Sequence, residues 1–298
     1  MQVAAILNTR SGSLKQIDLG RLERAIREQF ATAERTVACF RVNGSELKTV
    51  LAEQCSRQEV SLLLAAGGDG TISAAAEAAW RSGKTLAIVP AGTMNLFARS
   101  LKLPLDVHEC VTALARGQQT SIDIAVVNGR SFLHFFTIGV YPKLVNKRSH
   151  YTYSGRLTKV WAGIKAFFST RAEPALHCVK FTRDGSPEQH KHLSILGVSN
   201  NLFGSGHLPF ADDLQGGKLG IYSVGKISVP KLYQLAKDIA FGRWNESSLI
   251  KVSTARTIHL RLEKMSSKNH CAIDGELLPI EREYTIELHP KALNLLIP

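Results

Sequence analysis

Val60-Ser61-Leu62-Leu63-Leu64-Ala65-Ala66-Gly67-Gly68-Asp69-Gly70-Thr71 passes from an apolar run into a glycine-rich turn. The apolar run predicts a buried strand. Ile72 to Ser82, closed by Gly83, predicts a helix. The turn thus lies between a strand and a helix N-terminus, where backbone N–H groups and the helix dipole favour an anion. Gly67, Gly68 and Gly70 lack a Cβ, so the backbone can approach a ligand or take positive φ. Asp69 repels a phosphate unless a cation lies between, which points to Mg²⁺ or to proton handling. A Walker A loop would end in Gly-Lys-Ser/Thr, which is absent. A dinucleotide fingerprint fits in part as Gly68-x-Gly70-x-x-Ser73. Its acidic ribose reader about 20 residues on would fall at Val89-Pro90-Ala91. Taken alone, the loop is as well read as a tight turn with no ligand.

A second loop changes the balance. Thr85 to Val89 predicts another buried strand, followed by Pro90-Ala91-Gly92-Thr93-Met94-Asn95 and a helix start at Leu96-Phe97-Ala98-Arg99-Ser100-Leu101. Two adjacent parallel strands would bring both loops to one carboxyl edge, where open α/β sheets bind ligands. With Gly67-Gly68-Asp69-Gly70-Thr71, Pro90 to Arg99 and the later Ile273-Asp274-Gly275-Glu276, the chain resembles the diacylglycerol kinase catalytic-domain family. That family includes bacterial lipid kinases and sphingosine kinases and is distantly related to NAD kinases. The order and spacing of these motifs span nearly the whole chain.

The chain has 298 residues, with 44% hydrophobic and 21% charged residues, as in a globular protein. No apolar run reaches the ~18 residues of a spanning helix, and Met1 to Leu7 does not read as a signal peptide. Cysteines 39, 55, 110, 178 and 271 have no metal-ligand spacing. Reduced thiols in the cytoplasm are expected. His190-Lys191-His192 reads as a solvated turn rather than a metal site. A net charge of +12 favours anionic partners. The basic residues are spread out, without the clustered motif that nucleic acid would require.

Val3 to Leu7 predicts a first strand, Asn8 to Ser13 a turn, and Leu14 to Phe30 a helix with Leu22, Ala25, Ile26, Gln29 and Phe30 on a mostly apolar face. Arg35 to Val42 predicts a second strand, and Ser45 caps a helix to about Cys55. Asp106 to Arg116 predicts a further helix with Gly117 as its C-cap. This grammar implies an α/β N-terminal domain with a parallel, Rossmann-like sheet. From Ile122 it changes. Ile122 to Val127, Asn128-Gly129, and Arg130 to Val140 form a hairpin signal. Strand-like runs follow at Leu176–Thr182, Leu193–Ser199, Lys218–Val224, Leu249–Thr254, Thr257–Glu263 and His270–Ile273, with one helix at Val229–Phe241. They predict a mostly antiparallel β-sandwich C-terminal domain. The expected domains are 1–120 for nucleotide and 121–287 for the lipid substrate. The resemblance implies that 288–298 returns to the first.

Phosphoryl transfer needs alignment and cations or N–H groups on the phosphate oxygens. The resemblance assigns Gly67, Gly68, Gly70, Thr71, Gly92 and Thr93 to nucleotide phosphate contact. Asn95 would hold one loop or the nucleotide, with Asn8 and Ser11 facing the same site. Arg99 either offsets phosphate charge or is a surface helix residue. In the family the Ile273-Asp274-Gly275-Glu276 loop faces the Gly-Gly-Asp loop across a cleft. Asp274 is then the candidate base for the acceptor hydroxyl. Glu276 would orient it or hold Mg²⁺, and Asp69 would position Mg²⁺ on the nucleotide side.

The chain departs from the family pattern in four places. Thr9 replaces the proline of the first turn, and Leu96 follows Asn95 where the family often has aspartate. Gly216-Gly217-Lys218-Leu219-Gly220 stands where many members carry Asp-Gly-x-Leu-Asp, whose aspartates hold a structural Mg²⁺. Gly139 to Lys143 lacks an acid common there. No tightly held structural ion is therefore expected, Asp212 and Asp213 being displaced.

The expected activity is an ATP- and Mg²⁺-dependent lipid kinase acting on a lipid hydroxyl, diacylglycerol-like first. Alternatives are NAD kinase-like or sphingoid kinase activity, or a catalytically impaired nucleotide- or lipid-binding regulatory protein. ATP, a lipid substrate and peripheral contact with an anionic membrane surface are the expected partners, a homodimer is left open, and nucleic acid is not expected. Tyr151 to Arg171 is the candidate membrane-facing segment, with Leu157, Val160, Trp161, Ile164 and Phe168 at helical spacing beside Arg156, Lys159 and Lys165. The same apolar face would serve equally as ordinary core.

Overall fold

Gln2–Asn8 (β1) is an apolar strand buried from Val3 to Leu7, and the first sheet grows on both its sides. Thr36–Val42 (β2) pairs parallel on one edge and Val60–Gly67 (β3) on the other. Thr85–Pro90 (β4) pairs parallel with β3. The structure is a computed structural model that describes residues 1–139, 177–204, 211–240, 242–263 and 270–298. The candidate membrane segment Tyr151 to Arg171, and Val140 to Lys143, lie outside the described residues. By contact the chain divides into two units, Met1–Ile124 with His289–Pro298, and Ala125–Leu288.

In the first unit, the helices Leu19–Phe30 (α1) and Leu47–Ser56 (α2) connect β1 to β2 and β2 to β3. Right-handed crossovers in opposite directions put them on opposite faces of the sheet. Accordingly α1 packs with Val107–Ala115, and α2 with Asp69–Ser82 (α3). Leu22, Ile26 and Phe30 are buried on α1, each burial being favourable by about 2 kcal/mol. The final strand ends parallel to β4, with Leu295 beside Leu86 and Leu296 beside Ala87.

The helix expected from Leu14 starts later. Ser13–Lys15 forms a single 3₁₀ turn, and α1 begins at Leu19 because the Asp18 carboxylate accepts the Gly20 and Arg21 N–H groups. Ser45 does not cap α2. Asn43 Oδ1 accepts the Ser45 and Glu46 N–H groups, and the Glu46 carboxylate accepts the Asn43 N–H at 3.0 Å. Gly117 takes no left-handed cap conformation. A side chain there would strike the Ile297 carbonyl, so glycine admits the chain end.

The second unit is antiparallel. Its six-stranded sheet runs Lys251–Ala255, Leu219–Val224, Ile195–Ser199, Phe135–Gly139, His270–Ile273, Glu276–Pro279. In a second layer the early part of Glu283–Ile297 pairs with Thr257–Leu262, that strand with His177–Arg183, and His177–Arg183 in turn with Gln189–Leu193. Phe136, Val198 and Ile221 of one layer share a core with Val179, Ile258 and Ile286 of the other. The fold class read from the sequence is therefore the one observed. His190-Lys191-His192 lies within strand Gln189–Leu193, not in a turn. Cys39, Cys55, Cys110 and Cys271 are free thiols. No helix among the described residues is long and apolar enough to cross a membrane.

Candidate functional site

The carboxyl end of β3 turns at Gly68, the N-cap of α3. The helix starts at Asp69, so the quoted turn is already its first turn. Gly68 has φ −86°, and neither Gly67 nor Gly70 takes positive φ. These glycines serve close approach instead. A Cβ on Gly67 would lie 2.6 Å from Thr71 Oγ1, and one on Gly92 would lie 2.6 Å from the Gly68 Cα. Gly70 is different: a Cβ there meets nothing within 4 Å. Among the described residues nothing covers Gly70, which is exposed at the first turn of α3.

The polar side chains near these glycines tie the loops together. Asn8 Nδ2 donates to Thr71 Oγ1 at 2.8 Å, and the Gly68 N–H donates to Ser11 Oγ at 3.2 Å. The Asp69 carboxylate accepts the Asn95 N–H at 3.1 Å and the Leu96 N–H at 2.7 Å. Asn95 sits in left-handed backbone at φ 50° and closes its own loop. Its Oδ1 accepts the Gly92 N–H at 2.8 Å and its Nδ2 donates to the Gly92 carbonyl at 3.1 Å. Arg99 Nε donates to the Met94 carbonyl at 3.0 Å. Thus Asn8, Ser11, Gly67, Gly68, Gly70, Thr71, Gly92, Thr93 and Asn95 gather around Asp69 at one sheet edge. The N–H groups of Asp69 and Gly70, in the first turn of α3, have no carbonyl partner within the helix. An anion above Gly70 would meet both the helix dipole and these donors.

In the second unit, Asp274 and Gly275 form a two-residue hairpin loop with φ of 46° and 85°, between paired Ile273 and Glu276. The Asp274 carboxylate accepts three backbone N–H groups: Leu133 at 2.9 Å, His134 at 2.9 Å and Phe135 at 3.0 Å. This explains a difference from the expected hairpin. The strand predicted from Arg130 to Val140 divides into Arg130–Phe132 and Phe135–Gly139, because the intervening N–H groups turn to Asp274. Glu276 is paired with Arg130. Sequence reasoning missed this Leu133–Phe135 ledge. Its one visible signal is the break in strand alternation at Leu133-His134. Among the described residues, no three His, Cys, Asp or Glu side chains group as a metal site.

Comparison with known proteins matches this geometry to a family. Residues 2–127 match the family model of the diacylglycerol kinase catalytic domain. A diacylglycerol kinase of Staphylococcus carnosus is 24% identical over 254 residues, covering 83% of this chain and 78% of the relative. A Pectobacterium atrosepticum protein named "Probable lipid kinase YegS-like" is 35% identical over 100 residues, 32% of this chain and 33% of the relative. A diacylglycerol kinase crystal structure from Bacillus anthracis shares the fold with a TM-score of 0.70 at 23% identity, covering 100% of this chain and 97% of that one. An Archaeoglobus fulgidus NAD kinase in complex with ATP shares it with a TM-score of 0.52 at 14% identity, covering 99% and 93%. Residues 2–127 are thus similar to the diacylglycerol kinase catalytic domain, and the chain shares the fold of the solved diacylglycerol kinase and NAD kinase structures.

Proposed function

We propose that this chain, whose residues 2–127 belong to the diacylglycerol kinase catalytic-domain family, transfers the γ-phosphoryl group of ATP to the hydroxyl of a lipid, diacylglycerol-like first. The observation that carries this reading is the clasp between the two loops. Asp69 holds the Asn95–Leu96 backbone while Gly70 stays exposed. The clasp holds the two loops together beside a helix N-terminus, and alignment is most of what phosphoryl transfer requires of a protein.

In this reading Gly67, Gly68, Gly70, Thr71, Gly92 and Thr93 shape the phosphate cradle, and Asn8, Ser11 and Asn95 keep it closed. In this reading a Mg²⁺ ion would be held as such ions commonly are, by a carboxylate together with substrate phosphates. Asp69 would supply that carboxylate, and the ion would offset charge on the phosphate oxygens. Asp274 would accept the proton of the lipid hydroxyl, its orientation set by the three ledge N–H groups. Glu276 would act near it through its charge, tempered by Arg130.

The test is turnover. Purified protein with γ-labelled ATP, Mg²⁺ and a total lipid extract should yield a labelled lipid resolved by thin-layer separation. Parallel reactions with purified diacylglycerol, a sphingoid base and NAD identify the acceptor. Label only in NAD would move the activity to a soluble hydroxyl. No transfer to any acceptor, with ATP still bound, would leave a regulatory binding protein.

A further inference from the structure

We infer that the second unit holds its Asn201–Gly204 segment to the sheet without a divalent cation, through the hydroxyl and ring of Tyr222. The resemblance implies acids at 216 and 220 that hold a structural ion, and the residues here do not fit one. Strands Ile195–Ser199 and Leu219–Val224 are antiparallel, with Ser199 opposite Gly220. A Cβ on Gly220 would lie 2.5 Å from Ser199 Oγ and 2.9 Å from the Tyr222 hydroxyl. The place of the second acid is therefore filled by neighbouring side chains. Asp212 packs its carboxylate against Gly204, and Asp213 Oδ1 accepts the Gln215 N–H at 2.8 Å. Near Gly216 stand Asp213 Oδ2 and Asn201 Oδ1. Asn201 is 1% exposed, and among the described residues its amide atoms have no hydrogen-bond partner. One carboxylate beside a neutral amide is a poor match for a tightly held ion, which needs several oxygen ligands.

What occupies the place is a neutral tie. The Tyr222 hydroxyl accepts the Phe203 N–H at 2.7 Å and shares a hydrogen bond with Ser199, whose own hydroxyl donates to the Asn201 carbonyl. The Phe203 ring stacks on Tyr222 with centroids 5.0 Å apart and planes 22° apart. Trp244 meets both rings edge-on, at 6.0 Å and 5.7 Å. Phe135 closes the cluster 5.6 Å from Phe203, its ring lying over Gly197 where any side chain would collide. Burial holds the phenol in its neutral form. Among the described residues, no group of three acids or other ligand side chains stands here that would call for a cation.

Thermal unfolding of the nucleotide-free full chain tests this. The midpoint should be the same in EDTA and in millimolar Mg²⁺ or Ca²⁺. Tyr222→Phe keeps the ring but strands the Phe203 N–H, and should lower the midpoint by about 2–4 °C in either buffer. An unchanged midpoint in Tyr222→Phe would overturn the tie. A saturable rise with Mg²⁺ that persists in Asp69→Asn and disappears in Asp213→Asn would overturn the cation-free reading. A rise that Asp69→Asn abolishes belongs to the first unit and agrees with the inference.

Discussion

Asp274 and Phe135 exchange two hydrogen bonds: the Phe135 N–H donates to Asp274 Oδ1 at 3.0 Å, and the Asp274 N–H donates to the Phe135 carbonyl at 2.9 Å. Asp274 therefore has a structural duty whatever its chemistry. In Asp274→Asn, one oxygen becomes an amide donor that faces ledge N–H groups. Stability should fall by about 1–3 kcal/mol through the stranded donor. If Asp274 is also the base, kcat falls at least about 10²-fold with ATP affinity nearly unchanged. Denaturant unfolding and ATP titration separate the effects, and a preserved kcat would leave only the structural duty.

Gly70 and Gly92 should respond oppositely to alanine. At Gly92 the added methyl meets the Gly68 backbone and Asn95 Oδ1, so Gly92→Ala should cost about 1–3 kcal/mol by overpacking. At Gly70 the methyl meets nothing within 4 Å. Gly70→Ala should keep the unfolding midpoint, yet raise KM for ATP by intruding where the phosphate would sit. Unchanged KM in a folded Gly70→Ala protein would argue that no phosphate sits there.

Asp69→Asn tests the clasp. The amide can still accept one N–H from the Asn95–Leu96 backbone but loses the other and the charge. The fold should survive, while kcat/KM drops about 10²-fold, as loss of alignment alone can produce. Near-normal turnover in the purified variant would remove Asp69 from the machinery.

Alkaline pH should destabilise the protein. Burial pushes the Cys110 thiol up to about 12, with Asp106 and Glu109 adding to the rise. Burial likewise raises the Tyr222 and Tyr284 phenols. All three stay protonated in the fold, whereas the unfolded chain releases these protons at ordinary values of 9.0 and 10.0. The unfolded state then binds fewer protons, so stability is complete below pH 9 and declines above it, by about 1.4 kcal/mol per pH unit for each group. Unfolding midpoints between pH 8 and 11 should fall less steeply in Cys110→Ala. An identical slope would assign the loss to other groups.

Much of the first unit was legible along the chain. Apolar runs closed by glycine loops announce buried parallel strands, because a strand covered on both faces needs no polar alternation. The second unit was legible as strands separated by turn residues, with Asn128-Gly129 marking its first hairpin. The caps were less legible. Asn43 competes with Ser45, and Asp18 starts its helix later than the apolar pattern implies, because only the local backbone path selects which oxygen reaches the free N–H groups.

Sequence alone determined the fold class and the two glycine-loop motifs, since hydrophobic period and glycine placement act within a few residues of chain. Only the tertiary structure decided what the side chains do there. Asn8 meets Thr71, Asp69 meets Leu96 and Asp274 meets Phe135 across 63, 27 and 139 positions. Such hydrogen bonds depend on angles and distances of tenths of an ångström, which packing sets and local sequence does not encode.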